Sequence, residues 1–179
     1  MTLRLPPLLT VAAAFALLVA CGPRQEAPPA PETPMESEAP AYPALTGLFS
    51  ATSTTAMGVT GDLAVTPERI TLSKGVQLDT GPASAISPTA KIAAGQPSFA
   101  ETYVGPVGLA LELRKVTATT IGDGTTPQPL CGPSTPATHV AFAYDAEQTA
   151  VTMLVFSGDE APGDAATKSQ LCGVFAYSG

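Results

Sequence analysis

Pro and Gly interrupt this chain about once every five residues: 19 Pro and 16 Gly are spread over 179 positions. Pro removes a helical hydrogen bond and clashes with the preceding turn, and Gly carries extra backbone entropy into any helix. No long stretch combines apolar residues at helical spacing with freedom from both. That excludes a helix bundle and leaves short strands joined by loops. Thr and Val, which suit a pleated surface, are abundant. The length allows one ordinary domain with a remainder.

Period-2 alternation locates the strands. Leu63-Ala64-Val65 leads into Thr66-Pro67-Glu68-Arg69, a turn whose Pro presets the first central position. Ile70-Thr71-Leu72-Ser73 then places Ile70 and Leu72 on one face. Lys74-Gly75 turns the chain into Val76-Gln77-Leu78-Asp79, completing a predicted meander. Further on, Leu109, Leu111 and Leu113 alternate with Ala110, Glu112 and Arg114, so the three leucines are expected to face the core. Val116 falls on the opposite parity, which predicts a bulge or bend near Lys115.

Val140–Tyr144 and Val151–Phe156 flank the polar 145–149 and read as a hairpin, and Asp123-Gly124 is a turn signal. Val151–Phe156 is apolar on both parities, as expected of a central strand covered on both sides. Gly173–Tyr177 supplies a last strand. Residues 80–100 read as a long loop, with a short helix around Ala90–Ala94 as the alternative, and the Thr/Ser run at 50–55 as an edge strand or loop. Seven or eight strands over 46–179 predict an all-β domain, a single antiparallel sandwich or small barrel.

Charge excludes one class of partner. Fifteen Asp and Glu against eight Lys and Arg give a net −7, so the basic stripe that grips a nucleic-acid backbone is missing. A single His and scattered carboxylates leave little material for a metal site, and no cofactor is expected.

Residues 1–20 form an address. Arg4 precedes an uncharged apolar run from Leu8 to Ala20, the order of a secretory signal and too short for an ordinary membrane-spanning helix. The run ends in Leu18-Val19-Ala20-Cys21-Gly22. This resembles the lipobox of bacterial lipoprotein precursors, and the resemblance implies that Cys21 receives a diacylglycerol thioether before cleavage. Two or three acyl chains, as in that class, hold a protein to a bilayer far more firmly than one. Gly22 stands where an inner-membrane retention signal has Asp. The resemblance therefore implies an outer-membrane anchor facing the periplasm.

Residues 21–45 comprise the lipidated Cys and a tether. Between Gly22 and Leu45 there are seven Pro and four Glu, and nothing that buries enough apolar surface to offset the entropy of ordering. Extended at about 3.1 Å per residue, the tether reaches about 70 Å. With Cys21 lipidated, Cys131 and Cys172 remain as an even pair in an oxidising compartment, and a disulfide between them is expected. The bridge would close a 42-residue ring, worth about 4 kcal/mol in the chain-entropy picture. Redox-active free thiols are the alternative, but the Cys-x-x-Cys spacing that lowers a thiol pKa is absent.

Candidate chemistry is sparse. Val76-Gln77-Leu78-Asp79-Thr80-Gly81 resembles the active-site loop of aspartic proteases, in which two carboxylates share a proton. One copy of the motif implies a homodimer that sets Asp79 beside its twin. His139 is the only imidazole available as a general base, without a Gly-x-Ser-x-Gly elbow to accompany it. Asp159, Glu160 and Asp164 form an acidic loop, read as a solvated hairpin tip rather than a Ca²⁺ site. The reading that follows is a non-enzymatic envelope lipoprotein whose β-domain binds a protein, glycan or small ligand, or serves structurally. The alternatives are an envelope hydrolase using Asp79 or His139, and a barrel enclosing a lipophilic ligand.

Overall fold

The structure, a computed structural model, describes residues 43–104, 109–123 and 128–179. The expected signal segment, Cys21, the tether up to residue 42 and Gly124 lie outside the described residues. Among the described residues there are nine strands: β1 (Gly47–Ala51), β2 (Leu63–Val65), β3 (Arg69–Leu72), β4 (Val76–Thr80), β5 (Ser84–Ala85), β6 (Ala110–Ile121), β7 (His139–Tyr144), β8 (Ala150–Ser157) and β9 (Gln170–Ser178). All pairings are antiparallel. The order runs β4-β3-β2-β1-β9-β8-β7-β6, and β4 pairs with β6 to close the ring. The domain is thus a small eight-stranded barrel, with β5 as an extra strand on β6. Closure pairs the strand edges that an open sheet leaves free, except where β6 runs on past Lys115, the last residue it pairs with β7. The Thr/Ser run accordingly forms no edge strand: β1 lies between β2 and β9, and the chain then turns into a single π-helical turn, Ala56–Thr60.

The meander forms as its alternation requires. Leu63 and Val65 on β2, Ile70 and Leu72 on β3, and Val76 and Leu78 on β4 point inward and are buried, while Thr71, Gln77 and Asp79 point outward. The β7–β8 hairpin also forms, closed by Asp145, whose carboxylate accepts hydrogen bonds from the Thr149 and Ala150 amides. Phe49, Val140, Phe142, Tyr144, Met153, Val155, Phe175 and Tyr177 complete the interior.

A second apolar cluster lies outside the barrel wall. Leu111, Ala141, Ala143, Leu154 and Phe156 face outward from β6, β7 and β8 and pack against Ile92 and Phe99. Phe99 meets Phe156 edge-on, with ring centroids 6.0 Å apart. This covering segment is the expected long loop; Ala90–Ala94 forms turns and an isolated bridge, not a helix. Burial on both faces explains why β8 is apolar on both parities: Met153, Leu154, Val155 and Phe156 are all fully buried.

Strand β6 departs from expectation in an instructive way. Its leucines turn to the outer cluster, and Ala110, Glu112 and Arg114 turn into the barrel. Val116 shares their parity and packs on the same inner core, so its position marks the true inner face rather than a slip. A bulge does occur, two residues beyond Lys115: Thr80 faces Val116 and Asp79 faces Ala118, leaving Thr117 as the extra residue.

Candidate functional site

Three features could carry function: a buried charged cluster, an open cavity beside it and an apolar groove farther along β6. The cluster sits at the end of the barrel where β1 begins. Glu112 and Arg114, two residues apart on β6 and so on one face, are both 0% exposed. Arg114 Nε donates to Glu112 Oε1 at 2.8 Å, and Nη2 lies 2.8 Å from the same oxygen. Arg114 Nη1 donates to the Thr66 carbonyl at 2.6 Å, and Nη2 to the Leu45 carbonyl at 2.8 Å. Glu112 Oε2 accepts the Leu45 amide at 3.0 Å. Tyr144 Oη lies 3.1 Å from both Glu112 Oε2 and the Pro43 carbonyl, sharing its proton between them. The guanidinium also lies over the Phe142 ring, 5.8 Å from its centroid.

A buried ion pair survives only if its remaining donors and acceptors are satisfied, and here the backbone of Leu45 supplies much of that satisfaction. Leu45 itself is fully buried in the barrel core. Burial, and then the Glu112 charge, push the Tyr144 phenol well above its usual pKa, so it remains a donor. The sequence reading missed this cluster because charged residues on a strand suggest water. The signal that could have found it was Val116, the apolar residue that shares the parity of Glu112 and Arg114.

The cavity opens beside the cluster. It measures about 880 Å³ and is lined by Thr66, Arg69, Asp79, Thr80, Pro82 and Arg114, among others. Asp79 is thus in a concave site, but its carboxylate is held by Arg69 Nε at 2.7 Å, a cross-strand pair with both side chains well exposed. The Thr80 hydroxyl is buried without a hydrogen-bond partner among the described residues.

His139 lies opposite Lys115 on the β6–β7 ladder and is buried, its Nδ1 3.1 Å from Thr138 Oγ1. Burial lowers its pKa below the ordinary value, and the Lys115 charge lowers it further, so the ring is neutral at pH 7. The acidic loop ties the chain together: Glu160 accepts the Thr167 and Lys168 amides, and Asp164 accepts the Lys91 amide. Among the described residues no group of three His, Cys, Asp or Glu could hold a metal ion.

The groove measures about 540 Å³ and runs between the second half of β6 and the segment 128–137, with Val76 and Leu78 beneath. Cys131 on that segment is joined to Cys172 by a disulfide (S–S 2.04 Å). Cys172 is the bulged residue of β9, since Val155 pairs with Gly173 and Phe156 with Leu171. The bridge therefore fixes one wall of the groove to the barrel. Neither the groove nor the clamp at Leu45 involves Asp79 or His139.

No family model, curated protein or solved structure matches this chain.

Proposed function

We propose that this chain is a cell-envelope lipoprotein, anchored by acylated Cys21 to the outer membrane and facing the periplasm. Its barrel is a non-enzymatic module that binds or braces an envelope component: a protein, a glycan or a small ligand. The observation that carries the reading is the junction at Leu45. Directly after the Pro-rich stretch, the chain enters the barrel and is gripped there on both backbone polar groups by Glu112 and Arg114. A passenger hung on a leash needs a fixed point where the leash ends, and this one is built into the core. The lipobox residues Leu18–Cys21 supply the other end, and the Cys131–Cys172 bridge suits an oxidising compartment. Asp79 is engaged by Arg69, an arrangement that suits a surface ion pair better than a proton-sharing dyad.

Cys21→Ser is expected to move the protein from the membrane fraction to the soluble fraction. Mass analysis of the wild-type N-terminal peptide is expected to show the added diacylglycerol. Unchanged fractionation, or a bare thiol on an uncut leader, refutes the anchor.

A further inference from the structure

We infer that the second half of β6 is a docking edge for an extended polypeptide taken up by strand addition. This deepens the binding-module reading and rests on it only in treating the barrel as something that binds a partner. Just past the end of β6 the Gly122 amide donates to the Gly75 carbonyl, and just past the end of β4 the Gly81 amide donates to the Lys115 carbonyl, which fixes the phase of the β4–β6 ladder. Backbone groups alternate in direction along an antiparallel strand. Thr120 and Ala118 therefore turn to β4, whereas Thr119, Ile121 and Val116 turn away from it.

The Val116 amide still finds β7-side chain, donating to the Thr138 carbonyl. Beyond that point the neighbouring chain leaves: Pro136 has no N–H with which to continue the ladder. The N–H and C=O groups of Thr119 and Ile121 are consequently without partners among the described residues. Thr119 and Ile121 also line the groove, together with their cross-strand partners Leu78 and Val76 and with Leu130. Ile121 is 57% exposed at its rim. An unpaired strand edge beside an apolar trough is the geometry of strand addition, in which backbone bonds give affinity and alternate side chains give selectivity.

The occupant is an extended segment of another protein, apolar at alternate residues and basic at its ends. Among the described residues no charged one lines the groove, which calls for apolar side chains. Residues 43–179 carry six Lys and Arg against eleven Asp and Glu, and Asp123 stands two positions past Ile121, which calls for flanking cations. The chain's own tether is unsuited, because its seven prolines break any ladder. A second copy brings the same negative charge.

The test uses the full chain purified in detergent and a fluorescent Lys-Val-Thr-Val-Thr-Val-Lys peptide. Binding is expected, with slower amide exchange at Thr119 and Ile121. Methylating the peptide nitrogens that face β6 is expected to weaken it about tenfold or more. Thr119→Pro, which leaves the β4 ladder intact, is expected to do the same while the far-UV spectrum is preserved. Absence of binding, binding indifferent to N-methylation, or protection elsewhere overturns the proposal. So does a dimer dissolved by Thr119→Pro, because the edge would then belong to a second copy. None of these outcomes depends on Cys21, so failure here leaves the anchor standing, and failure of the anchor leaves this test intact.

Discussion

The two halves of β6 are one strand living in two environments. From Ala110 to Lys115 it has β7 on one side, with β5 beside Glu112 and Leu113 on the other, and both faces are covered as far as Arg114: leucines meet the outer cluster, and Glu112 and Arg114 meet the barrel interior. From Thr117 to Ile121 it has β4 alone, and every residue is exposed. Each half also adjoins an ion pair of opposite character. Glu112–Arg114 is wholly buried; Arg69–Asp79, whose Asp79 faces Ala118, stands in water. The same chemistry is structurally decisive in one place and nearly neutral in the other, because the surrounding dielectric decides what an unpaired charge costs.

The largest test of that contrast is Arg114→Ala. It strands a buried carboxylate and the Leu45 carbonyl, and it should lower stability by about 3–5 kcal/mol in urea titration. The double change Glu112→Leu/Arg114→Met should recover much of this, since both charges are removed together. If the single and double variants unfold at the same urea concentration, the pair does not hold the core as described.

A smaller effect belongs to His139, opposite Lys115 where the covered half ends. Its folded pKa lies below the ordinary value of about 6.5, because of burial first and Lys115 second. As pH falls through 6.5 the unfolded chain takes up the proton before the folded one, so stability declines from there toward the folded pKa. His139→Asn should flatten the urea midpoint between pH 7.5 and 5.5. Equal declines in variant and wild type would assign the acid sensitivity elsewhere.

Smallest is Asp79→Ala, which breaks only the exposed pair. It should cost about 0.2–1 kcal/mol and less in high salt. A loss as large as that of Arg114→Ala would erase the distinction between the two halves.

Much of the fold was legible from pattern. The meander, the β7–β8 hairpin and the doubly covered β8 follow from where apolar residues alternate and where they do not. Period two separates a strand's faces, but it does not say which face is the interior. On β6 both faces are buried, by different things, and leucine alone pointed to the wrong core. The outer cluster was invisible because residues 86–99 are irregular, and no local period reports a loop that folds back over a barrel wall. Of the candidate site, the cysteine pair followed from counting. The clamp on Leu45 did not, since Ala44 and Leu45 end a Pro-rich run and share nothing with Glu112 but proximity in space. The open edge at Thr119 and Ile121 depends on where β7 begins, at His139 opposite Lys115, a matter of register that composition does not encode.

The grip on Leu45 has a mechanical consequence. A pull on the chain at Pro43 does not begin by fraying a terminal strand from its neighbour. Load passes through the Leu45 amide and carbonyl to the charged pair on β6, and from there into the middle of the wall, where several ladders must shear at once. A barrel gripped this way resists traction applied where the chain enters it at Pro43.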